Sequence, residues 1–324
     1  MRIVRLANFI TPYSGGLRTT LLELGAGYAA AGHEPVLVMP GAADDDEQTP
    51  QGRVITLRGP VLPLSGGYRL LLSKRRVRAI LESLRPDRLE VSYAQVVCTT
   101  RWAAAEFERL GVRNLRHVPL GVDLELFSPQ RRCPGLRQRY AAPGEVLIVH
   151  CGRLSVEKRP HRSIDALARL RAAGVPAVLV VAGDGPLRPR LERQAAGSAL
   201  PVTFTGFISS RTAVAALLAT ADVVLAPGPV ETFGLAALEA LACGTPVVVS
   251  GSGALPEVIG GAGATVTGED FAGGVLSVLQ RPSAQRRTAA RAHAERFGWP
   301  AAVRGFQAAH PVAARVEMAE EAVR

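Results

Sequence analysis

Short apolar runs alternate with amphipathic helical patterns along the first third of the chain. An apolar strand at residues 2–8, a glycine turn and a helix at 17–31 lead into a second strand at 34–39. A strand, a helix and a strand in this order form a βαβ unit, and such units build parallel sheets. Further apolar runs predict strands at 53–57, 89–92 and 96–99.

The alternation becomes more regular after residue 123. Strands and helices are predicted in turn at 146–151, 162–173, 177–182, 186–195, 202–205, 211–220, 223–226, 233–242 and 245–249. Regular βα alternation predicts a doubly wound sheet. We therefore predict an α/β protein with two facing Rossmann-like domains and parallel sheets. The expected ranges are 1–123 and 124–300, followed by a helical tail over 301–324.

The N-terminal domain is predicted to be shortened. Its runs at 89–92 and 96–99 are separated by about three residues, whereas parallel neighbours need a crossover of about a dozen or more. We expect one irregular or bent strand here, and fewer strands in this sheet than in the C-terminal one. One side of the predicted cleft between the domains should then be unusually open.

Composition favours an anionic partner. The chain has 324 residues, 48% of them hydrophobic, and a formal net charge of +10, yet only Lys74 and Lys158 are lysines. The excess positive charge favours phosphates, nucleotides or an acidic membrane surface. Aromatic residues make up only 5%, and no stacking platform or zinc-finger pattern is present, which argues against nucleic acid as a partner.

The sequence has no strong signal for membrane insertion, secretion or metal binding. No apolar run approaches the ~18 residues of a membrane helix, and Arg5 and Asn8 interrupt any signal-peptide core, so a cytoplasmic location is expected. The four cysteines lack metal-knuckle spacing and are expected to be reduced thiols. The acidic run Asp44, Asp45 and Asp46 lies in a predicted loop at 42–50, which we interpret as solvated rather than metal-binding.

Two carboxylates stand eight residues apart around a predicted helix start. Glu231 precedes the helix and Glu239 lies in its second turn, where the neighbouring residues are apolar on every side. A carboxylate is costly there unless it is hydrogen-bonded, and a pair of ligand hydroxyls would satisfy it. The alternative is an exposed stripe or a pairing with an arginine. The helix N-terminus at 233–235 offers free N–H groups and the positive end of the helix dipole, which favour phosphate binding.

Two cations follow the first strand of the second domain. Arg153 and Lys158 lie in a strand-to-helix loop at the carboxyl edge of the predicted sheet, where they suit a diphosphate leaving group. The alternative is an ordinary solvated basic loop. No Walker A loop, GxSxG elbow or complete GxGxxG is present, which argues against a kinase, hydrolase or dehydrogenase.

A basic amphipathic helix is predicted to begin at Tyr68 and end at Leu84. Apolar residues share one of its faces, and its basic residues are concentrated elsewhere, namely Lys74, Arg75, Arg76 and Arg78. Such a helix can lie on an anionic membrane. The alternative is a surface helix that packs on the sheet and leaves its arginines in solvent.

These motifs together resemble a known family. The motifs occur in order along nearly the whole chain: Ser14-Gly15-Gly16, Gly32-His33-Glu34, Pro119-Leu120-Gly121-Val122-Asp123, Arg153 with Lys158, Gly183-Asp184-Gly185-Pro186 and Glu231 with Glu239. The combination resembles the family-4 retaining glycosyltransferases of the GT-B fold. The run from His150 to Lys158 further resembles an actinobacterial subgroup, the GDP-mannose-dependent phosphatidylinositol α-mannosyltransferases.

The resemblance implies a role for each matching position. Arg153 and Lys158 would hold the diphosphate and Glu231 the sugar hydroxyls, as the catalytic residues. Donor-binding positions would be Gly15, Gly16, Phe207, Ile208, Phe233, Gly234, Leu235 and Glu239. Glu239 would take the ribose hydroxyls, the main chain at 207–208 would border the base, and the leaving phosphate would accept the acceptor's proton. Neither a metal nor another cofactor is implied.

The resemblance also marks a departure between Ser92 and Tyr93. The family has some tens of residues there, including a histidine-bearing loop that faces the donor sugar. We expect a mannosyltransferase that uses GDP-mannose and a lipid-linked, phosphatidylinositol-type acceptor, with a peripheral location on the inner face of the plasma membrane. The alternatives are a nucleotide-sugar-binding homologue without transfer activity and an enzyme that uses a UDP-sugar and a soluble acceptor.

Overall fold

The computed structural model describes residues 1–7, 15–61, 69, 71, 73–90, 96–109 and 115–309. The chain divides into two compact units. The first comprises Met1–Cys98, Gly111–Val118 and Trp299–Arg324, and the second comprises Thr99–Leu110 and Pro119–Gly298. These units differ from the predicted ranges, because the segment at 99–110 joins the second unit and the helix after residue 298 joins the first.

The main sheet of the first unit has five strands in the order β3-β4-β2-β1-β5. Its strands are β1 (Arg2–Leu6), β2 (Glu34–Gly41), β3 (Asp45–Thr49), β4 (Gly52–Arg58) and β5 (Arg88–Glu90). β4, β2, β1 and β5 are parallel, and β3 runs antiparallel to β4 at the edge. A separate parallel pair joins β6 (Val96–Cys98) to β7 (Leu115–His117).

Three helices belong to the first unit: α1 (Gly15–Ala30), α2 (Lys74–Leu84) and α12 (Trp299–Ala309). α2 lies over the core of the sheet, where Val77, Ile80 and Leu81 pack against buried Val4, Val36 and Ile55, among others. On the other face, Val303 of α12 packs with Ile3, Leu24 and Tyr28.

Two predictions for the first unit are wrong in part. The acidic segment around Asp45 is strand β3 rather than a loop, because β4 supplies hydrogen-bond partners at the sheet edge. The basic helix begins at Lys74 rather than Tyr68, since the Ser73 hydroxyl accepts the N–H of Arg76 and caps it there. Tyr68 itself lies outside the described residues.

The predicted irregularity near residue 92 falls partly outside the described residues. β5 pairs with β1 in the main sheet, whereas β6 pairs with β7 in another sheet, so the two runs are not parallel neighbours. The segment between them, including Ser92 and Tyr93, is not described. The main sheet has five strands, against six in the second unit.

The second unit holds a six-stranded parallel sheet in the order β10-β9-β8-β11-β12-β13. Its strands are β8 (Val146–Cys151), β9 (Ala177–Ala182), β10 (Val202–Gly206), β11 (Val223–Ala226), β12 (Val247–Ser250) and β13 (Ala264–Val266). The strand order reverses between β8 and β11. In open α/β sheets the crevice outside the carboxyl ends at such a switch point is where ligands bind.

Nine helices of the second unit are described. They are α3 (Arg101–Arg109), α4 (Pro134–Tyr140), α5 (His161–Ala172), α6 (Arg188–Gly197), α7 (Arg211–Thr220), α8 (Leu235–Ala242), α9 (Leu255–Ile259), α10 (Phe271–Leu279) and α11 (Ser283–Ala294). Every residue of β9 is buried, as expected for a strand covered on both faces. The Rossmann-like prediction for this part of the chain is therefore confirmed.

Candidate active site

The carboxyl ends of β8 and β11 carry the residues singled out from the sequence. Arg153 and Lys158 follow β8, in a loop that ends in a 3₁₀ turn at Val156–Lys158. Glu231 follows β11, before α8. Because β8 and β11 are neighbours in the sheet, these two loops lie side by side at the switch point.

The loop after β8 is fixed by the turn after β9. The Leu154 N–H donates to the Asp184 carbonyl over 3.0 Å, and the Leu187 N–H donates to the Leu154 carbonyl over 3.0 Å. Gly183 has a φ of +142°, and a Cβ there would lie 1.9 Å from the Gly152 carbonyl oxygen. No other residue fits this approach. The Gly-Asp-Gly-Pro turn therefore acts as a support for the Arg153 loop.

Lys158 and Glu231 contact each other directly. The Lys158 ammonium donates to the Glu231 carboxylate, and each side chain keeps about a quarter of its surface exposed. Gly228 permits this approach, because a Cβ there would lie 2.9 Å from the Lys158 Cα. The structure thus brings the predicted phosphate cation to the predicted sugar carboxylate, although 73 residues separate them in the sequence.

Glu239 lies in the second turn of α8, as expected. Its side chain is 18% exposed, and the Arg211 guanidinium lies 3.7 Å from its Oε1. Burial raises the pKa of Glu239 to about 7, with Arg211 opposing the rise and Asp123 adding to it. Burial also raises the pKa of Cys151 and of Cys243 to about 12, and the charge of Glu239 adds to both rises.

The start of α8 is set by its surroundings. The helix begins at Leu235 rather than at residue 233 as predicted, because Gly234 takes a left-handed conformation before it. The Thr100 hydroxyl donates to the Thr232 carbonyl over 3.2 Å. The buried Phe233 ring packs edge-on against Phe297, with 6.3 Å between ring centroids.

The remaining predicted positions are less constrained. Phe207 and Ile208 follow β10 at the same edge of the sheet, and Phe207 is 66% exposed. Gly15 and Gly16 begin α1 in the first unit. No group of three or more metal-ligating side chains is found among the described residues, and no helix within them is long and apolar enough to span a membrane.

Sequence reasoning missed the surroundings of Glu239. Arg211, the first residue of α7, lies beside the carboxylate, and its guanidinium also stacks over the Phe127 ring at 5.4 Å from the centroid. The Pro-Leu-Gly-Val-Asp motif ends at Asp123, whose main-chain carbonyl accepts the Phe127 N–H over 2.9 Å. A lone arginine at a helix start gives no signal in sequence, so only the fold relates these residues.

Two family models match the chain. The model described as "Glycosyl transferases group 1" covers residues 136–295, and the one described as "Glycosyl transferase 4-like domain" covers residues 15–152. The matched ranges contain every predicted donor-site residue.

Curated relatives and solved structures agree with these models. A GDP-mannose-dependent α-(1-6)-phosphatidylinositol dimannoside mannosyltransferase from Mycobacterium tuberculosis is 48% identical, over 92% of this chain and 93% of the relative. The corresponding monomannoside mannosyltransferase from Mycolicibacterium smegmatis is 30% identical, over 81% and 75%. Sucrose-phosphate synthase from Thermosynechococcus elongatus superposes with a TM-score of 0.76 at 21% identity, over 95% and 98%.

The comparison with the M. tuberculosis protein also shows a difference in length. The alignment spans 357 positions, whereas 92% of 324 residues is about 298, so about 59 positions are occupied in the relative alone. That number has the size expected of the segment predicted to be missing near Ser92.

Proposed function

The chain belongs to the group 1 glycosyltransferases of the GT-B fold, and from this we propose that it transfers mannose from GDP-mannose to a phosphatidylinositol mannoside. The 48% identical relative carries that activity in its name. The acceptor of this chain would then be a lipid whose headgroup already bears mannose. We further propose retention of configuration at the anomeric carbon, as the family resemblance implies.

The contact between Lys158 and Glu231 carries the proposal. A cation and a carboxylate at the switch point of the sheet match the two parts of a sugar diphosphate that meet at the reacting bond. Lys158, together with Arg153 on the same loop, would neutralise the diphosphate. Glu231 would accept hydrogen bonds from the sugar hydroxyls.

The transfer step would proceed as follows. The bond between the anomeric carbon and the diphosphate oxygen breaks, and its electron pair leaves with GDP. The acceptor hydroxyl attacks the anomeric carbon on the same face, and its proton passes to a leaving-phosphate oxygen. Negative charge therefore grows on the diphosphate in the transition state, where Arg153 and Lys158 stabilise it most.

The rest of the donor would lie along α8 and the loop after β10. Glu239 would accept the two ribose hydroxyls, and the N–H groups of Phe233, Gly234 and Leu235 would lie near the sugar and phosphate. The main chain at Phe207 and Ile208 would border the base. Gly15 and Gly16 would also be donor-binding positions. No metal ion would be required.

Because the proposed acceptor is a lipid, the protein would act at a membrane surface, and we propose the inner face of the plasma membrane. The basic residues of α2 would make this contact without its apolar side chains, because Val77, Ile80 and Leu81 are packed on the sheet. Two of the arginines have acidic partners: Arg76 lies 2.9 Å from Asp44, and Arg78 lies 3.1 Å from Glu82. We therefore propose a weak, electrostatic and peripheral attachment.

One observation favours a second candidate, a donor-binding homologue with little transfer activity. About 59 aligned positions of the relative have no counterpart here, and the family resemblance assigns a loop facing the donor sugar to the segment expected to be missing. An open site admits water and weakens electrostatic stabilisation of the transition state. The second unit keeps its cations and both glutamates in either case.

Transfer and binding should be measured on the same purified protein. GDP-mannose with a labelled sugar is incubated with vesicles that contain a phosphatidylinositol dimannoside, and lipid-bound label is followed. Calorimetry measures GDP-mannose and UDP-glucose binding in parallel. Label transfer supports the mannosyltransferase, and GDP-mannose binding without transfer supports the second candidate. Failure to bind GDP-mannose, or preferential binding of UDP-glucose, would contradict both.

A further inference from the structure

Glu239 has a charged neighbour to which the proposed function gives no role. Arg211 opens α7, and its Nη2 lies 3.7 Å from Glu239 Oε1. At this distance the guanidinium contributes its charge without a hydrogen bond. Among the described residues, no donor lies within hydrogen-bond distance of the Glu239 carboxylate, so its lone pairs remain free for a ligand.

The position of Arg211 is set from the opposite side. Its guanidinium lies over the ring of Phe127, which is almost completely buried, at 5.4 Å from the centroid. Phe127 is placed by a turn at Asp123: the Asp123 carbonyl accepts the Phe127 N–H, and its Oδ1 accepts the N–H of Leu126 over 2.9 Å. The cation–π contact helps to hold the guanidinium in place.

Burial and two nearby charges determine the ionisation of Glu239. Burial raises the pKa of this carboxyl to about 7, the charge of Arg211 opposes the rise, and Asp123 on the preceding segment adds to it. The thiols of Cys151, at the end of β8, and Cys243, after α8, have a pKa raised to about 12 by burial and by the charge of Glu239, and therefore contribute no charge. The arginines of α11 are committed to main-chain carbonyls: Arg291 binds that of Ala242, and Arg287 those of Ala219 and Ala221.

We propose that Arg211 is a positioning residue that keeps Glu239 ionised for the ribose hydroxyls of the donor while leaving both carboxylate oxygens free to accept them. This rests on the proposed function, since it presumes that Glu239 binds a ribose. The Asp123 motif and Phe127 then act as the support that sets Arg211 at a distance suited to charge compensation and too long for a hydrogen bond.

The test is the pH dependence of donor binding. Wild type, Arg211→Gln, Arg211→Lys and Glu239→Gln are titrated with GDP-mannose by calorimetry between pH 5.5 and 8.5. If only ionised Glu239 binds, wild-type affinity should fall about tenfold from pH 8 to pH 6, because the pKa is about 7. Arg190→Gln, at an exposed position of α6, is the matched control for loss of one positive charge.

Loss of Arg211 should raise the midpoint of the pH dependence of donor affinity by about one pH unit, because a nearby opposite charge lowers the pKa of a carboxyl by at least about this amount. Arg211→Gln should then bind the donor about fivefold more weakly than wild type at pH 7 but within twofold of it at pH 8.5. Arg211→Lys should restore most of the wild-type curve, and Glu239→Gln should remove the dependence.

The outcomes separate this inference from the proposed function. The role assigned to Arg211 would be overturned if the donor affinity of Arg211→Gln had the wild-type pH midpoint, or if it were lowered by the same factor at every pH. Donor binding itself would not be contradicted by either result. Wild-type protein that binds no GDP-mannose at any pH would instead overturn the proposed function. Thermal unfolding of each variant checks that the fold is retained.

Discussion

Replacing Glu239 with glutamine should stabilise the ligand-free protein at alkaline pH. Burial in α8 raises the pKa of this carboxyl to about 7, from an ordinary value of 4.5. A raised folded-state pKa means that the group's stabilising contribution is complete below pH 4.5 and is lost as pH rises through 7. Above pH 7 the folded state must hold an ionised carboxylate that the unfolded state would solvate freely.

The magnitude follows from the two pKa values. The pKa values of the folded and unfolded states differ by about 2.5, and each pKa unit corresponds to 1.36 kcal/mol, so Glu239 changes the free energy of unfolding by at most about 3 kcal/mol. Between pH 5 and pH 8.5 the change is about 2 kcal/mol after allowance for the partial exposure of the side chain. Glu239→Gln carries no titratable group. Its stability relative to wild type should therefore rise by about 2 kcal/mol between these two pH values.

Urea unfolding of both proteins at pH 5 and pH 8.5, without nucleotide, measures this difference. Other titrating groups cancel because they are common to both chains. Glu108→Gln on α3 serves as the control, since this glutamate is exposed and its stability difference from wild type should stay constant with pH. If the Glu239→Gln difference also stays constant, the carboxylate is solvated and does not occupy a desolvated ligand site.

Three further predictions concern the reaction and the membrane. Lys158→Ala and Arg153→Ala should each lower kcat by about a hundredfold with a smaller effect on KM, because leaving-group charge grows in the transition state. Arg190→Ala, at an exposed position of α6, should leave kcat unchanged. A rise in KM alone would show that the two residues only bind the diphosphate in the ground state. Excess EDTA should not change the transfer rate, and inhibition reversed by Mg²⁺ would contradict a metal-free site. A triple variant replaces three basic residues of α2 with glutamine: Arg75, Arg76 and Arg78. It should sediment less with anionic vesicles, at up to ~1 kcal/mol per charge, and equal sedimentation of wild type and variant would leave α2 as a packed surface helix.

Strong local periodicity made much of the second unit predictable. β8, β9, β11 and α7 have the predicted bounds, because buried parallel strands read as short apolar runs and each is followed by a helical pattern. β3 could not be predicted in this way. Its sequence is entirely polar, and only the hydrogen bonds of β4 at the sheet edge make it a strand.

The residues of the candidate site could likewise be predicted only in part. The family pattern identified Lys158 and Glu231, and their contact confirms that the two loops meet, but no local signal gives a contact across 73 residues. Arg211 and Phe127 were not identified at all. Their relation to Glu239 depends on three separate segments of chain that only the folded sheet brings together. The part of the site attributed to Gly15 and Gly16 stays a prediction.

Because α12 packs in the core of the first unit, it affects when that unit can fold during synthesis. Its Val303 packs with Ile3, Leu24 and Tyr28, so the core of the first unit includes residues from both ends of the chain. Domains usually fold as units, the N-terminal one first, while the ribosome elongates. Here the first unit to emerge cannot complete its core until residue 303 has left the exit tunnel. The first unit therefore completes its core only after the second unit, whose segments end at Gly298, has also been synthesised. Nascent chains arrested before residue 303 emerges should leave the first unit more sensitive to protease than it is in the released protein.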